Sequence, residues 1–369
     1  MKNIYDKIIA EMILMKKYGL VLAGGGAKGA YQLGAWKAMR ELGISFSAVA
    51  GVSIGSINGA LIAAGDYENA TKLWKSASVD KGVNITEELK DPENLFSFRN
   101  FSVLFKEIVR NGGIDASPTR DFLKSFIDEE KVRKSDIKFG MVTFQLSEFT
   151  PLEIFIDKIP EGQLVDYLLA SSKVPGVSKI GPEGERYLDG GVYDNAPVNL
   201  LRKNGYNKII LVDIASRKGL GHKEDLSCTQ AIIIRPYDIE DLGPAFDFSE
   251  EMYEKRIKMG YLDTRKTFGY LSGRRFYFEK DVFDEMIEEY GADACEQLEA
   301  FASETGVEKI KIYNKTDFMD ALKAKYEEYK QQLAEEEKEQ RFYSNILKKI
   351  PVFKDSNEYE LAIEILEKN

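Results

Sequence analysis

Two glycine-containing turns, each directly after a short apolar run, constrain the fold more than any other feature of the chain. The run YGLVLAG at 18–24 leads into GGGAKG at 24–29, and SAVAGVS at 47–53 leads into GVSIG at 51–55. Only one helical pattern separates the two runs. A strand–helix–strand unit of this kind forms a right-handed crossover, which brings the carboxyl ends of both strands to one edge of a parallel sheet. We therefore expect both turns to open at that edge.

The same alternation continues through the first two thirds of the chain, which is typical of a mostly parallel sheet with helices on both faces. Further strands are predicted at 139–147, 152–157, 186–190, 208–216 and 231–236. Helices are predicted at 28–42, 54–64, 66–77, 118–128 and 162–172. Beyond about residue 245 the sequence is heavily charged with helical spacing and no strand pattern. The C-terminal third is therefore expected to be helical.

The composition of the chain argues against several classes of binding partner, and it also bears on metal sites, disulfides and membrane spans. The chain has 369 residues and a net charge of −10, which argues against a nucleic acid as the main partner. One histidine, His222, and two cysteines, Cys228 and Cys295, predict neither a metal site nor a disulfide framework. The N-terminal apolar run is interrupted by Asp6 and Glu11 and is too short to span a bilayer. The expected location is the cytoplasm, with peripheral membrane contact as an option, and the oligomeric state stays open.

The glycine run predicts an anion-binding loop, because amides at a helix N-terminus point outward where no Cβ hinders them. A dinucleotide is one candidate, since Gly24, Gly26 and Gly29 satisfy GxGxxG. That fingerprint requires an acidic residue about 20 positions further on, where this sequence reads SFSAVAGVS. The phosphate-binding Walker pattern also fails, because Lys28 precedes Gly29 and no Ser or Thr follows it. Neither phosphate-binding pattern is complete.

The other candidate is an oxyanion hole beside a nucleophilic serine. Ser53 lies in a GxSxG segment, in which Gly51 and Gly55 leave room for the sharp turn of a nucleophile elbow. A serine in this position can also simply cap the following helix. The glycine loop one strand–helix unit upstream favours the nucleophile. The donors expected for the hole are the backbone amides of Gly24, Gly25, Gly26 and Ile54.

Two residues are candidates for the base that accepts the serine proton. The order Ser53, Asp189, His222 is that of an α/β-hydrolase triad, so a triad esterase is one hypothesis. His222, however, lies in the polar, glycine-flanked stretch RKGLGHKED, which is typical of a surface loop. Asp189 follows a predicted strand and precedes Gly190 and Gly191, where the backbone can approach another loop closely. An Asp-Gly pair also commonly stabilises only its own turn.

Three motifs in order resemble those of the patatin-like phospholipases: GGGAKG at 24–29, GVSIG at 51–55 and DGG at 189–191. The flanking segments ASSKVPGV at 170–177 and DNAPV at 194–198 agree with that family, and the resemblance covers roughly residues 17–216. It implies a three-layer patatin-like α/β fold and acyl-ester hydrolysis of lipids, commonly phospholipids. It also implies that no metal or organic cofactor takes part.

The resemblance assigns roles residue by residue. It implies a Ser53–Asp189 dyad without histidine and an oxyanion hole formed chiefly by Gly25 and Gly26. Lys28 matches a family position for Arg or Lys near a lipid headgroup. The motif glycines are Gly29, Gly51, Gly55, Gly190 and Gly191. The expected domains are an N-terminal extension (1–16), the catalytic domain (17–216), a final strand and helix packed on it (217–275) and a mainly helical C-terminal region (276–369).

The chain also departs from the family pattern. Where family members often read ASSAIPGVFPP, this chain has Lys173, Ser178 and Lys179, so no acyl or headgroup preference is carried over. Aromatic and basic residues in NLFSFRNFSVLFKEIVRNGG, such as Phe98 and Phe101, suggest an apolar flap at a lipid interface. Ordinary core packing at helical spacing is the simpler interpretation of the same residues. The alternative to an enzyme is a lipid-binding protein that has the hydrolase fold but no catalytic activity.

Overall fold

The structure is a computed structural model, and it describes residues 18–77, 117–145, 147–172, 187–215, 229–344 and 359–368. The chain folds into two compact units, Met1–Thr267 and Phe268–Asn369. The first unit contains both glycine turns, which are the features from which the fold was predicted. The two units are described separately below.

The first unit is built on a seven-stranded sheet. Its strands are β1 (Tyr18–Leu22), β2 (Ala48–Val52), β3 (Lys138–Gln145), β4 (Thr150–Phe155), β5 (Tyr187–Asp189), β6 (Lys208–Val212) and β7 (Gln230–Ile234). The order is β4-β3-β2-β1-β6-β7, and β5 pairs with β3 outside this path. Strands β3, β2, β1, β6 and β7 pair in parallel, whereas β4 and β5 run antiparallel to β3.

Helices cover both sides of the sheet. Those described in the first unit are α1 (Ala30–Glu41), α2 (Ile54–Ala63), α3 (Tyr67–Ala77), α4 (Ser117–Lys124), α5 (Glu129–Lys134), α6 (Leu164–Ser171), α7 (Val198–Lys203) and α8 (Glu250–Thr267). Every residue of β1, β2 and α2 is buried, which explains their continuous apolar sequences. The predicted fold class, a mostly parallel sheet between helices, is confirmed.

The second unit combines helices with a small sheet. The described helices are α9 (Lys280–Tyr290), α10 (Ala292–Glu304), α11 (Lys315–Ser344) and α12 (Glu360–Lys368). The strands are β8 (Leu271–Ser272), β9 (Tyr277–Glu279) and β10 (Ile312–Tyr313). The described part of this unit is mainly helical, as expected, and it also contains short strands that the sequence did not indicate. Strands of two or three residues are too short for an alternating pattern to reveal them. An aromatic core that includes Phe276, Phe278, Phe301 and Phe318 stabilises this unit.

Candidate active site

The register of four adjacent strand ends brings the sequence motifs together. Leu22 of β1 lies opposite Gly51 of β2, so Gly24, two residues further along, lies level with Ser53. Consistent with this register, a Cβ on Gly24 would lie 3.3 Å from the Cβ of Ser53. Both predicted turns therefore open at one edge of the sheet.

Asp189 reaches the same edge from the other side of β2. Pairing between β2 and β3 ends at Val52 and Val142, and β5 begins to pair with β3 at the next residue, Thr143. The partner of Thr143 is Asp189. Since β4 occupies the opposite edge of β3, β5 takes the edge that β2 leaves. This succession places Asp189 beside Ser53.

Ser53 occupies a backbone conformation that L-residues rarely adopt. Its φ is 54° and its ψ is −130°, and the helix α2 begins at the next residue. Such a conformation persists only where the surrounding structure enforces it. Here the turn packs very closely, because a Cβ on Gly51 would overlap the carbonyl of Gly55, and one on Gly55 would overlap the carbonyl of Leu22. The GxSxG spacing is thus a steric requirement of this turn.

Two other serines form hydrogen bonds to the backbone of Ser53. Its amide donates to Oγ of Ser171 at 2.9 Å, and that hydroxyl donates to the carbonyl of Val142 at 2.6 Å. The hydroxyl of Ser56 donates to the Ser53 carbonyl at 2.6 Å. Ser171 was not identified from the sequence as a site residue, although it lies in the family-like segment ASSKVPGV. Its role depends on the pairing of distant elements, and no local pattern encodes that pairing.

The carboxyl group of Asp189 contacts Ser53 directly. The Ser53 hydroxyl donates a hydrogen bond to it, and the Gly191 amide donates a second at 2.7 Å. Burial raises the pKa of Asp189 to about 6, and the two hydrogen bonds partly oppose that shift. A Cβ on Gly190 would overlap the Val142 carbonyl, so the DGG sequence allows this turn to lie against β3. The carboxylate is held against the hydroxyl and is a stronger base than an exposed aspartate.

Three backbone amides of the two turns have no acceptor among the residues that the structure describes. Within the described part of the chain, the amides of Gly25, Gly26 and Ile54 donate no hydrogen bond. Ile54 is the first residue of α2, where the helix dipole favours negative charge. The amide of Gly24, in contrast, donates to the carbonyl of Asn195 at 3.1 Å. The expected set of four donors therefore narrows to three.

A buried amide network fixes both ends of the glycine loop. The side chain of Gln32 donates to the Ala23 carbonyl at 2.7 Å, and that of Asn58 donates to the Gly29 carbonyl at 3.0 Å. Asn58 also donates to Gln32 at 2.8 Å and accepts a hydrogen bond from the Trp74 indole at 2.9 Å. Satisfied buried networks of this kind rigidify their surroundings. The loop is thus held before and after its glycines.

The predicted headgroup residue is not on the surface. The side chain of Lys28 is buried, and this desolvation lowers its pKa. The negative charge of Glu240 opposes the shift, and the positive charge of Arg256 adds to it. The position near a lipid headgroup that the family resemblance implies for Lys28 stays a prediction.

Several sequence predictions concern residues outside the described ranges: His222, Cys228, the departures Lys173, Ser178 and Lys179, and the flap residues Phe98 and Phe101. Among the residues that are described, no group of three or more His, Cys, Asp or Glu side chains is arranged to hold a metal ion. The same residues include no helix with the length and apolarity required to cross a bilayer.

This chain is similar to several known proteins. Residues 20–202 match the family model described as patatin-like phospholipase. A lysophospholipase NTE1 of Cryptococcus neoformans is 28% identical over 209 residues, which are 56% of this chain and 12% of that protein. Patatin-like phospholipase domain-containing protein 7 of Mus musculus is 24% identical over 216 residues, 57% of this chain and 14% of that protein.

The chain therefore covers only a small part of the length of these two relatives. Among solved structures, VipD from Legionella pneumophila aligns with a TM-score of 0.40 and 14% identity. That alignment covers 96% of this chain and 84% of the VipD chain.

Proposed function

Residues 20–202 of this chain belong to the patatin-like phospholipase family, and from that premise we propose that the protein is a serine lipid acyl hydrolase with a Ser53–Asp189 dyad. The observation that carries the proposal is the hydrogen bond between the Ser53 hydroxyl and the Asp189 carboxyl group at a strained strand-to-helix turn. A helix-capping serine requires neither this contact nor this backbone conformation.

In the proposed reaction, Oγ of Ser53 attacks the carbonyl carbon of an acyl ester and its proton passes to the carboxylate of Asp189. Negative charge develops on the carbonyl oxygen, where the amides of Gly25, Gly26 and Ile54 stabilise it. One such donor typically contributes about 3 kcal/mol. Asp189 then returns the proton to the leaving alcohol. A water molecule activated by the same carboxylate releases the acyl group from Ser53.

The raised pKa of Asp189 makes a dyad without histidine chemically reasonable. A general base works best when its pKa lies near the working pH, and a value of about 6 is closer to neutrality than the ordinary 3.8 of an aspartate. The alcohol of an ester also leaves more readily than an amine, so a weaker acid suffices to protonate it. These points favour ester over amide substrates.

The substrate class is proposed from the relatives. Lysophospholipase is part of the name of a relative that matches over 56% of this chain, so a lysophospholipid is the substrate to test first. The test is hydrolysis of lysophosphatidylcholine, phosphatidylcholine and a short soluble ester by the purified full chain. Release of fatty acid from at least one of the lipids supports the proposal. A protein that binds these lipids but never releases fatty acid would instead be a lipid-binding protein.

Substitution of the only histidine separates the dyad from a triad. In a triad the carboxylate orients the histidine, whereas here Asp189 contacts Ser53 itself. We expect His222→Ala to change kcat/KM for the soluble ester less than twofold. A triad would lose about 10³-fold or more. The measurement is steady-state kinetics beside a melting curve of each protein, and a large loss in a folded variant would reject the dyad.

The rate should depend on the ionisation of Asp189. Because this carboxyl group must be charged to accept the proton, we expect kcat/KM to fall tenfold per pH unit below its pKa of about 6. Above that pH the base is fully ionised, so the rate should be constant up to pH 8. The profile is measured with the soluble ester in wild type and in His222→Ala. An acid limb that disappears in the variant would assign the base to the imidazole.

A further inference from the structure

A buried arginine forms a hydrogen bond to the glycine loop. Arg256 is in the first turns of α8 and is only 1% exposed. Its guanidinium donates to backbone carbonyls of Leu242 (2.8 Å), Pro244 (2.8 Å), Asp247 (2.5 Å) and Ala27 (3.3 Å). Three of these carbonyls belong to the segment 242–247, and the fourth belongs to the glycine loop. The side chain therefore ties the two segments together.

Segment 242–247 in turn supports the loop. The carbonyl of Ala245 accepts a hydrogen bond from the Ala27 amide at 2.7 Å. Gly26 has a φ of 58°, and a Cβ there would overlap the same carbonyl. The residue that follows Gly25 and Gly26 is thus held at its amide by Ala245 and at its carbonyl by Arg256. These contacts fix the peptide planes next to the proposed oxyanion donors.

Close helix packing brings Arg256 to this position. A Cβ on Gly34 of α1 would overlap the carbonyl of Ile257 in α8, and a Cβ on Gly260 would overlap the carbonyl of Tyr31. The Tyr31 hydroxyl donates to the carboxylate of Asp263 at 2.8 Å and reinforces the contact. Since α1 begins directly after the glycine loop, a helix in backbone contact with α1 can reach the loop with one long side chain.

The burial of this charge is costly, which indicates a specific role. Desolvation lowers the pKa of Arg256 to about 10, so the guanidinium is still charged at neutral pH. Lysine offers three donors from a single atom, whereas the planar fork of arginine offers five in fixed directions. Four backbone carbonyls from two segments require that fork. Filling the space with an apolar side chain would leave these carbonyls without their donor.

We propose that Arg256 is a positioning residue, which holds the Gly25 and Gly26 amides in the orientation that stabilises the oxyanion. The inference rests on the proposed hydrolase function. If Arg256 has this role, loss of its guanidinium group should weaken binding of the transition state and leave binding of the ground-state ester unchanged. Displacement of a catalytic group by about 1 Å can cost roughly 100-fold in rate.

The test compares Arg256→Lys and Arg256→Met with Met259→Ala, each in the chain of 369 residues. Met259 is also buried in α8, so its truncation weakens the same helix without removing a donor to the loop. We expect kcat for the soluble ester to fall about 10-fold in Arg256→Lys and about 100-fold in Arg256→Met, with KM within twofold of wild type. Met259→Ala should lower the melting temperature but keep kcat within twofold.

Each result has a defined meaning. If Arg256→Met does not fold, the kcat of Arg256→Lys alone tests the inference. A decrease in kcat of less than threefold in the folded arginine variant overturns the inference. A decrease in kcat/KM that comes from a raised KM overturns it as well. An equal loss of kcat in Met259→Ala at a matched decrease in melting temperature also overturns it, because general loosening of α8 would then suffice. An inactive wild-type protein would reject the proposed hydrolase function instead.

Discussion

Replacement of Asp189 with asparagine is expected to abolish ester hydrolysis and at the same time to stabilise the fold. An amide cannot accept the Ser53 proton, so kcat should fall by about 10⁴-fold. The same change removes a partly buried charge. Asn can still accept the hydrogen bond from the Gly191 amide, so the turn itself should persist. Loss of activity and gain of stability in one variant would be characteristic of a residue selected for chemistry.

The stabilisation should depend on pH in a defined direction. The pKa of Asp189 is about 6 in the folded protein and ordinarily 3.8. Above pH 6 the carboxylate is charged in both states, and its burial destabilises the fold by about 1–3 kcal/mol. Between the two values this penalty declines as pH falls, and below 3.8 both states are protonated. Asp189→Asn should therefore raise the melting temperature by about 2–6 °C at pH 8 and hardly at all at pH 3.5.

Asp213 provides a matched control. It follows β6 at the same edge of the sheet and accepts a hydrogen bond at 3.0 Å from the amide two residues later, as Asp189 does. Its carboxylate lies 3.8 Å from Arg235 rather than beside a serine. Asp213→Asn should keep kcat within about twofold and should not become more stable at pH 8. Equal behaviour of the two variants would show that Asp189 has no special role.

Ser53→Ala should reduce hydrolysis by about 10⁴-fold or more, because the reaction then lacks its nucleophile. The fold should persist, since the backbone of Ser53 is held through its amide and carbonyl and not through its hydroxyl. Ser172→Ala is the control. Ser172 is also buried, and its hydroxyl donates to the carbonyl of Leu168 in α6, the helix that ends just before it. Hydrolysis that survives in Ser53→Ala would require another nucleophile.

Local sequence was sufficient to predict the frame of the site. The seven strands of the first unit lie at the predicted positions. The signal is strongest for β1 and β2, because a strand in which every residue is buried requires a continuous apolar sequence. The turn at Ser53 was predictable for a similar reason. The demand at Gly51 is local, because a Cβ there would overlap the carbonyl of Gly55. Gly55 instead packs against the carbonyl of Leu22 on the neighbouring strand, so its steric reason is visible only in the folded chain.

What the sequence did not reveal depends on contacts between distant segments. The amide of Gly24 is occupied by Asn195, which is 171 residues away, so its availability could not be judged locally. Ser171 and Arg256 act through backbone groups of other elements, and backbone groups leave no trace in a side-chain pattern. The short strands β8 to β10 escaped prediction because their few residues carry too little periodicity.

The most direct test is to treat the purified chain of 369 residues with a fluorophosphonate probe and to identify the modified residue by mass spectrometry. Such a probe reacts with a serine only if the hydroxyl is activated and the oxyanion is stabilised. The account predicts a single adduct on Ser53, formed at an undiminished rate in His222→Ala and nearly absent in Asp189→Asn. An adduct on any other residue, or none on a folded protein, would contradict it.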